Sequence, residues 1–282
     1  MTKKVLLVGV GLIGGSFSLA LKNKDTFKFG GYSRKQSTLD TAETLGIIDF
    51  KFSDLNEGIA WADWIILSIP VDVIRKMLPG ILDQLRPNQL VVDFGSTKGA
   101  ICAEIADHKN RGNFLAAHPI AGTEYSGPEA AFPGLFKDKC LIVCEEEKTL
   151  SDIKLHFEEA AKQVGFYLVK MGAEEHDRHL AYISHLSHVT SYALSNTVLN
   201  KEKDGEVILE LAGSGFESTV RLAKSSPEMW TPIFLENKKM LLESIESYLI
   251  QIKSLQNHLE NSDGGQIQQF LEQGRMIKKI IK

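Results

Sequence analysis

The 282-residue sequence contains little cysteine: Cys102, Cys140 and Cys144 are its only three, and no two of them form a Cys-x-x-Cys pair. An odd number without that spacing argues against a disulfide framework or a zinc ribbon, and it indicates a reducing compartment. The sequence also lacks a basic excess, because 32 Lys and Arg face 36 Asp and Glu, for a formal net charge of −4. Nucleic acid is therefore not an expected partner, since binding to phosphates requires positive charge.

Long hydrophobic runs are missing as well. The stretch from Val5 to Leu21 has no charged residue, but with about 17 residues and four glycines it is a poor membrane span. It contains no small-x-small cleavage site followed by a new start, which argues against a signal peptide. We therefore expect a cytoplasmic protein that does not bind membranes.

The first 170 residues alternate short apolar runs with helical patterns. The predicted strands are Lys4–Val8, Phe27–Tyr32, Trp64–Ser68, Leu90–Asp93, Phe114–Ala117, Cys140–Val143 and Phe166–Val169. Such nearly continuous apolar runs are typical of strands buried on both faces of a parallel sheet. The helices predicted between them include Thr38–Leu45, Val73–Leu78, Gly99–Ala106 and Leu150–Val164. This alternation predicts an α/β domain with a doubly wound parallel sheet over residues 1–170.

No strand pattern continues beyond residue 170. Helices are predicted over 174–201, 208–211, 227–260 and 267–281. An unbroken helix over 227–260 would span about 50 Å, more than a small domain covers. Its apolar stripe therefore predicts contact with a second subunit, so we expect residues 171–282 to form a helical domain that builds a homodimer.

A glycine motif, Gly9-x-Gly11-x-x-Gly14, follows the first strand and opens the first helix. Gly9 permits the tight turn, Gly11 allows a pyrophosphate to approach the backbone, and Gly14 allows close packing of helix and strand. The spacing alone is weak evidence, but its position in a strand–turn–helix unit is specific. We therefore predict a Rossmann-type dinucleotide-binding domain, with Leu12 and Ile13 in the cofactor-binding turn.

The end of the second strand, Gly31-Tyr32-Ser33-Arg34-Lys35, contains no acidic residue. NAD-preferring sites usually carry Asp or Glu there for the ribose 2′-hydroxyl. Ser33 can donate a hydrogen bond to a phosphate, and Arg34 can bind one with two hydrogen bonds. We predict NADP as the preferred cofactor and NAD as the alternative; a solvated turn at Arg34 is the competing interpretation.

Polar clusters follow three successive strands, where doubly wound sheets bind their ligands. The clusters are Ser68-Ile69-Pro70, Asp93-Phe94-Gly95-Ser96-Thr97-Lys98 and His118-Pro119-Ile120-Ala121-Gly122-Thr123-Glu124. Ser68, Pro70 and Lys98 are candidates for cofactor binding, although Lys98 could instead bind substrate charge or cap the next helix. His118 is the candidate general base because the ordinary histidine pKa lies near physiological pH; a purely structural histidine is the alternative.

Taken together, these motifs resemble the prephenate dehydrogenase family, the tyrosine-branch enzymes of aromatic amino-acid biosynthesis. The motifs are Gly9-x-Gly11-x-x-Gly14-Gly15-Ser16, Asp93-x-Gly95-Ser96-x-Lys98, His118-Pro119-x-Ala121-Gly122-Thr123-Glu124, Ser184-His185-Leu186-x-His188, Gly215-Phe216, Arg221-Leu222-Ala223, Met229-Trp230 and Phe234-Leu235-Glu236-Asn237. The resemblance is ordered and covers nearly the whole chain. The elements around His118 and His185 carry it, and Ser187 departs from the proline that is common in the family.

The resemblance implies an NAD(P)-dependent oxidative decarboxylation. Prephenate would lose a hydride from C4 and CO2 from C1, giving 4-hydroxyphenylpyruvate. His118 would accept the hydroxyl proton, and Ser96 would form a hydrogen bond near His118 and the substrate hydroxyl. The helical domain would then bind substrate as well as form the dimer.

The resemblance also implies residues that hold the substrate. Arg221 corresponds to an arginine that binds a substrate carboxylate, and its planar fork suits that role. His188 corresponds to a substrate-contacting histidine, whereas His185 is either a substrate contact or a core residue. Thr123 and Glu124 are expected to line the cleft between the domains.

Other functions remain open from the sequence. Arogenate dehydrogenases share these motifs and catalyse the same reaction on the transaminated substrate. A β-hydroxyacid dehydrogenase shares the sheet and the helical domain but uses a lysine base. A non-catalytic NADP-binding regulator is a further alternative, although such a protein would not need His118, Ser96 and Arg221 together. His176, His179, His185 and His188 lack an established metal-ligand spacing, so no metal is predicted.

Overall fold

The computed structural model describes residues 2–22, 26–123, 125–203 and 208–281. The strands in these ranges are β1 (Lys3–Val8), β2 (Phe27–Tyr32), β3 (Phe50–Phe52), β4 (Trp64–Leu67), β5 (Leu90–Asp93), β6 (Phe114–Pro119), β7 (Lys139–Cys144) and β8 (Phe166–Met171). The α-helices are α1 (Leu12–Lys22), α2 (Gln36–Thr44), α3 (Leu55–Trp61), α4 (Val71–Asp83), α5 (Gly99–Glu104), α6 (Ser151–Val164), α7 (Ala173–Leu180), α8 (Leu186–Lys203), α9 (Ser214–Val220), α10 (Pro227–Glu236), α11 (Lys238–Glu260) and α12 (Gly264–Arg275).

The strands form one sheet in the order β3-β2-β1-β4-β5-β6-β7-β8. From β3 to β6 every pair is parallel, which confirms the predicted doubly wound sheet. The strands β1 to β3 follow one another toward one side of the sheet, and from β4 onward they follow one another toward the other side. The boundary between β1 and β4 is therefore a topological switch point. Open α/β sheets bind their ligands at such a point, beyond the carboxyl ends of the strands. The sheet departs from the prediction at β7, which runs antiparallel to β6.

The sheet is buried on both faces, which explains its continuous apolar runs. Val5 and Leu7 pack into one core cluster, together with Phe17 and Phe157. Leu6 and Val8 face the opposite cluster. Alternate side chains of a strand point to opposite faces, so a strand covered by helices on both sides needs apolar residues at every position.

The helical part of the chain differs from the prediction in two places. The predicted helix 174–201 is interrupted by a π turn, Ala181–His185, between α7 and α8. The predicted unbroken helix 227–260 is wrong, because α10 ends at Glu236 and α11 begins at Lys238. Asn237 stops the first helix with non-helical backbone angles, φ −106° and ψ 27°. The remaining 23-residue helix α11 spans about 35 Å, so the length argument for a second subunit no longer holds.

The chain consists of two compact units, residues 1–237 and 238–282. The second unit contributes α11 and α12, and of these helices α11 buries Met240, Leu241 and Ser244. The domain boundary predicted after residue 170 stays a prediction. None of the helices in the described ranges is long and apolar enough to cross a membrane.

Candidate active site

The glycine turn after β1 has the geometry that dinucleotide binding requires. Gly9 has φ +93°, and a Cβ atom there would lie 2.5 Å from the carbonyl oxygen of Ser68. A Cβ atom on Gly14 would lie 2.5 Å from the carbonyl oxygen of Gly9. Both positions therefore exclude any side chain. The hydroxyl of Ser68 donates to the Gly9 carbonyl at 2.7 Å, so it supports this turn from β4 instead of presenting a free donor to a cofactor.

Open space lies above the middle glycine of the turn. A Cβ atom on Gly11 would meet nothing within 4 Å among the residues described. The first turn of α1 contains no acidic side chain, and Leu12 and Ile13 pack against the core while they open the helix. Free backbone amides and the positive end of a helix dipole suit a pyrophosphate group, so these residues fit a dinucleotide.

The Ser33–Arg34 turn lies beside the glycine turn, because the Gly9 amide donates to the carbonyl of Tyr32 at 3.0 Å. The Ser33 hydroxyl accepts weakly from the Lys35 amide at 3.3 Å. Arg34 is exposed, and it forms no salt bridge within the described part of the chain. Pro70 precedes α4, where its carbonyl accepts from the Ile74 amide at 3.0 Å.

His118 lies at the end of β6 and heads a chain of hydrogen bonds. Its Nδ1 lies 2.9 Å from Nε2 of His176, and Nδ1 of His176 lies 2.8 Å from Oδ1 of Asp177. The Asp177 carboxylate also accepts from the amides of Lys98 and Gly99, each at 2.8 Å. The residues that follow β5 and those of α7 are therefore joined behind His118.

The chain of hydrogen bonds determines which ring nitrogens carry protons. An ionised carboxylate only accepts hydrogen bonds, so His176 donates from Nδ1 and accepts at Nε2. His118 then donates from Nδ1, which leaves its Nε2 unprotonated. Burial, with the neighbouring His176 and Lys98, lowers the pKa of His118 well below its usual range. Burial also lowers the pKa of His176, although Asp177 opposes this shift. Both rings are therefore neutral at pH 7, and no hydrogen bond from another described residue occupies Nε2 of His118, which can accept a proton.

Lys98 differs from the predicted cofactor contact. Its ammonium is completely buried, pairs with the carboxylate of Asp93, and donates to the Ala117 carbonyl at 2.8 Å. Burial raises the pKa of Asp93, and the Lys98 charge opposes that rise. A buried cation requires such a partner. The Lys98 side chain therefore connects the ends of β5 and β6, next to His118, and does not face a cofactor.

Ser96 and Thr123 are near the sheet edge, but neither is tied to His118 by a hydrogen bond between described residues. Ser96 is partly exposed in the segment between β5 and α5. The hydrogen bond predicted for Ser96 near His118 and the substrate hydroxyl stays a prediction, since the bond to His176 occupies only Nδ1 of His118. Thr123 is exposed, and its hydroxyl accepts from the Tyr125 amide at 3.2 Å. The predicted role of Glu124 falls on a position outside the described residues.

A second aromatic cluster surrounds the predicted substrate histidines. Trp230 stacks on His188 with ring centroids 3.4 Å apart and meets His185 nearly at a right angle at 5.9 Å. The Nδ1 of His188 lies 3.1 Å from the Ser184 carbonyl, which makes Nδ1 the donor. The indole Nε1 of Trp230 is buried and has no hydrogen-bond partner within the described ranges.

Arg221 begins a short turn, Arg221–Lys224, that is attached to α8 beyond His188. Ser191 accepts from the Ala223 amide at 3.0 Å, and the Tyr192 hydroxyl donates to the Ser225 carbonyl at 2.6 Å. The Arg221 side chain is exposed. Its charge is near enough to contribute to the lowered pKa of His188, for which burial is the main cause.

Sequence reasoning missed the two residues behind His118. His176 drew attention only as a metal-ligand candidate, and Asp177 drew none. Both residues lie in α7, and β8, which precedes this helix, runs opposite to β6, so no strand-end pattern in the sequence indicated that they meet His118. Within the described residues, no group of three or more His, Cys, Asp or Glu side chains is arranged to hold a metal ion.

Comparison with known families covers both parts of the chain. The family described as prephenate dehydrogenase, nucleotide-binding domain, matches residues 17–165. The family described as prephenate dehydrogenase, dimerization domain, matches residues 172–273. The chain is 31% identical to the prephenate dehydrogenase of Lactococcus lactis subsp. cremoris, over 99% of this chain and 78% of the relative.

Solved structures resemble the chain over its full length. The prephenate dehydrogenase from A. aeolicus in complex with hydroxyphenyl propionate and NAD+ has a TM-score of 0.93 and 29% identity, covering 100% of this chain and 99% of that one. The arogenate dehydrogenase of Synechocystis has a TM-score of 0.81 and 28% identity, covering 99% and 100%.

Proposed function

Because the chain belongs to the prephenate dehydrogenase family, we propose that it catalyses the oxidative decarboxylation of prephenate to 4-hydroxyphenylpyruvate with a nicotinamide dinucleotide. The observation that carries the proposal is the oriented His118–His176–Asp177 chain at the carboxyl edge of the sheet. It presents a neutral histidine nitrogen where a doubly wound sheet binds its ligands.

His118 acts on the C4 hydroxyl of the substrate. Its Nε2 accepts the hydroxyl proton as C4 is oxidised, and the positive charge that forms is stabilised through His176 by the Asp177 carboxylate. General-base catalysis of this kind contributes about 10²–10⁴-fold to a rate. We propose that Ser96, which is partly exposed between β5 and α5, orients the same hydroxyl.

The nicotinamide supplies the hydride acceptor when it is bound. The C4 oxygen becomes carbonyl-like as hydride is lost, so the electron pair of the bond between C1 and CO2 enters the ring and restores aromaticity. His118 returns its proton to the phenolate oxygen of the product. The imidazole of His118 is then neutral again for the next turnover.

Arg221 is proposed to hold a substrate carboxylate, and His188 is proposed to contact the substrate beside it. Arg221 is exposed, close to His188, and without a salt bridge within the described residues. Thr123, Glu124 and His185 are proposed to line the same cleft. A guanidinium can donate two parallel hydrogen bonds to a carboxylate, which supports a binding role for Arg221.

For the cofactor, we propose a preference for NADP over NAD. The support is local: Ser33 and Arg34 replace the acidic residue, and they lie beside the glycine turn through the Gly9–Tyr32 hydrogen bond. The side chains of Ser68 and Lys98 are engaged elsewhere, so the proposed cofactor contacts are the backbone of the glycine turn, Pro70, and the Ser33–Arg34 side chains.

We further propose a homodimer built by residues 171–282, with residues 1–170 binding the cofactor. The match to a family described as a dimerization domain supports it. Apolar side chains left exposed on α11 are Leu242, Leu249, Ile250, Ile252 and Leu259. Light scattering should give twice the chain mass of 31.3 kDa, and a monomer at micromolar concentration would contradict the dimer. The cytoplasmic location stays a prediction from the cysteine content.

The test of the function is an absorbance assay for reduced cofactor that crosses prephenate and arogenate with NADP and NAD. We expect the highest turnover with prephenate and NADP. Turnover with arogenate alone would favour the second candidate, which the similarity to the Synechocystis enzyme supports. No turnover in any combination, from folded protein that binds cofactor, would contradict both.

A further inference from the structure

Asn237 does more than separate α10 from α11. Its side chain is buried, and its carboxamide nitrogen donates to the backbone carbonyl of Asp177 at 2.7 Å. The same nitrogen lies 3.1 Å from Nδ1 of His185. One amide group therefore joins α7 to the π turn, at the backbone of the residue whose carboxylate holds His176.

The hydrogen bond to Asp177 determines the orientation of the carboxamide. A backbone carbonyl only accepts hydrogen bonds, so the Asn237 atom facing it is the nitrogen and not the oxygen. The second hydrogen of that nitrogen is then directed at His185, whose Nδ1 must accept it. Burial lowers the pKa of His185 to about 4, so the ring carries a single proton at neutral pH, on Nε2.

The π turn brings the two contacts of Asn237 to one face. Asp177 and His185 are eight residues apart, which corresponds to about 80° around an uninterrupted α-helix. The turn Ala181–His185 adds one residue to the helical path and reduces that angle to about 20°. Asn237 can consequently reach both residues, whereas in a regular helix the two residues would lie on different faces.

We propose that Asn237 is a positioning residue for the active site: it holds His185 as the Nε2–H tautomer and fixes Asp177 behind His176 and His118. His185 thereby keeps an N–H donor on the ring that meets Trp230. The catalytic part of this inference rests on the proposed function, because turnover is its measure. The tautomer of His185 can be measured without any activity.

The first experiment uses the unmodified protein. A long-range proton–nitrogen correlation spectrum of protein containing isotope-labelled histidine distinguishes the two tautomers, and the His185 signals are those missing from a His185→Gln variant. We expect a neutral ring with the proton on Nε2. A proton on Nδ1, or a doubly protonated ring at pH 7, would overturn the assignment to Asn237 whether or not the protein is active.

The second experiment is Asn237→Asp, which preserves shape but replaces the donor with an acceptor. We expect the His185 proton to move to Nδ1 and kcat to fall about tenfold or more, with an unchanged KM for NADP. The matched control is Asn110→Asp, because Asn110 also donates to a backbone carbonyl, that of Leu82 at 2.7 Å, and lies outside the site. It should retain wild-type kcat.

The outcomes separate the two proposals. If the wild-type protein turns over neither prephenate nor arogenate, the proposed function fails and the catalytic role of Asn237 fails with it. If the wild-type enzyme is active and Asn237→Asp matches the Asn110→Asp control in kcat, the positioning role alone is overturned. A variant that does not fold leaves the decision to the wild-type spectrum.

Discussion

The histidine proposed to accept a proton and the two arginines proposed to bind anions lie in opposite surroundings. His118 is bonded to His176, and His176 is bonded to Asp177. Arg34 and Arg221 are exposed, and neither forms a salt bridge within the described part of the chain. The groups proposed for chemistry are oriented by other side chains, whereas the groups proposed for charge recognition are exposed to solvent.

This difference predicts a division between kcat and KM. A base that is already neutral and oriented needs no reorganisation during the reaction, so its contribution belongs to the transition state. An exposed arginine exchanges water for a ligand anion in both the bound substrate and the transition state, so its contribution belongs mainly to binding. Substitutions on the two sides should therefore change different kinetic constants.

The largest effect is expected for His118→Asn. Removing the proton acceptor should lower kcat by about 10²–10⁴-fold and leave KM for prephenate nearly unchanged. Steady-state kinetics measures both constants. The control is His156→Asn on the exposed face of α6. A near-native kcat for His118→Asn would show that His118 is not the base.

Asp177→Asn is expected to have the next largest effect. The amide preserves the shape of the carboxylate but removes the charge that stabilises protonated His118 and His176. We expect kcat to fall about 10–100-fold with little change in KM, since each 1.36 kcal/mol of lost transition-state stabilisation costs a factor of ten. A change confined to KM would contradict the role of Asp177. It would also mean that His118 and its partners do not differ from the arginines in the kinetic constant that they affect.

On the exposed side, Arg221→Ala should raise KM for prephenate about tenfold or more, because a hydrogen bond to a charged group contributes about 1.5–3 kcal/mol. The kcat value should change little. Arg221→Lys keeps the charge but loses the planar fork, so its KM should be intermediate. An unchanged KM in Arg221→Ala would exclude it from substrate binding.

Arg34→Ala tests the cofactor side of the comparison and should have a smaller effect. We expect kcat/KM for NADP to fall about tenfold, corresponding to one lost charge-assisted contact with the 2′-phosphate. The value for NAD serves as the internal control and should not change. Equal losses with both cofactors, or an NAD preference in the wild type, would contradict NADP recognition by Arg34.

The last prediction concerns stability and pH. Burial lowers the pKa of His185 to about 4, whereas in the unfolded chain it titrates near the ordinary value of about 6.5. Between these values the unfolded state binds more protons, so the free energy of unfolding falls with decreasing pH, by at most about 1.4 kcal/mol per pH unit for this group. Urea denaturation at several pH values should show a weaker dependence in His185→Gln. Identical dependence in both proteins would mean that His185 is not buried in its neutral form.

Apolar patterning predicted the central sheet, but it did not predict its edge or its antiparallel strand. Phe50–Phe52 escaped notice because a three-residue edge strand contains no apolar run. The pattern of β7 matched a buried strand. A strand buried on both faces requires apolar residues whether it runs parallel or antiparallel to its neighbour, so the pattern does not indicate its direction. The break at Asn237 was missed, and so was the hydrogen bond of its side chain to the Asp177 carbonyl, because Asp177 lies 60 positions earlier.

The candidate site was likewise predictable where single residues carry the signal. His118 follows a strand, and Arg34 stands where an acid is usual, so both could be proposed from position alone. The partner of His118 could not be proposed that way, because His176 is 58 residues away and many polar residues lie at comparable distances. Lys98 was assigned to the cofactor for the same reason: its sequence position does not tell that Asp93 and Ala117 enclose its ammonium.

The sequence by itself determined the features that depend on neighbouring residues: the glycine turn, the buried strands, the missing acid after β2, and the histidine at a strand end. Tertiary structure alone decided which buried polar groups meet. His118 with His176, Lys98 with Asp93, and Asn237 with both Asp177 and His185 are pairs made by packing. The physical reason is that backbone geometry is a local property, whereas a buried donor or acceptor must find its partner among all the segments that the fold brings together.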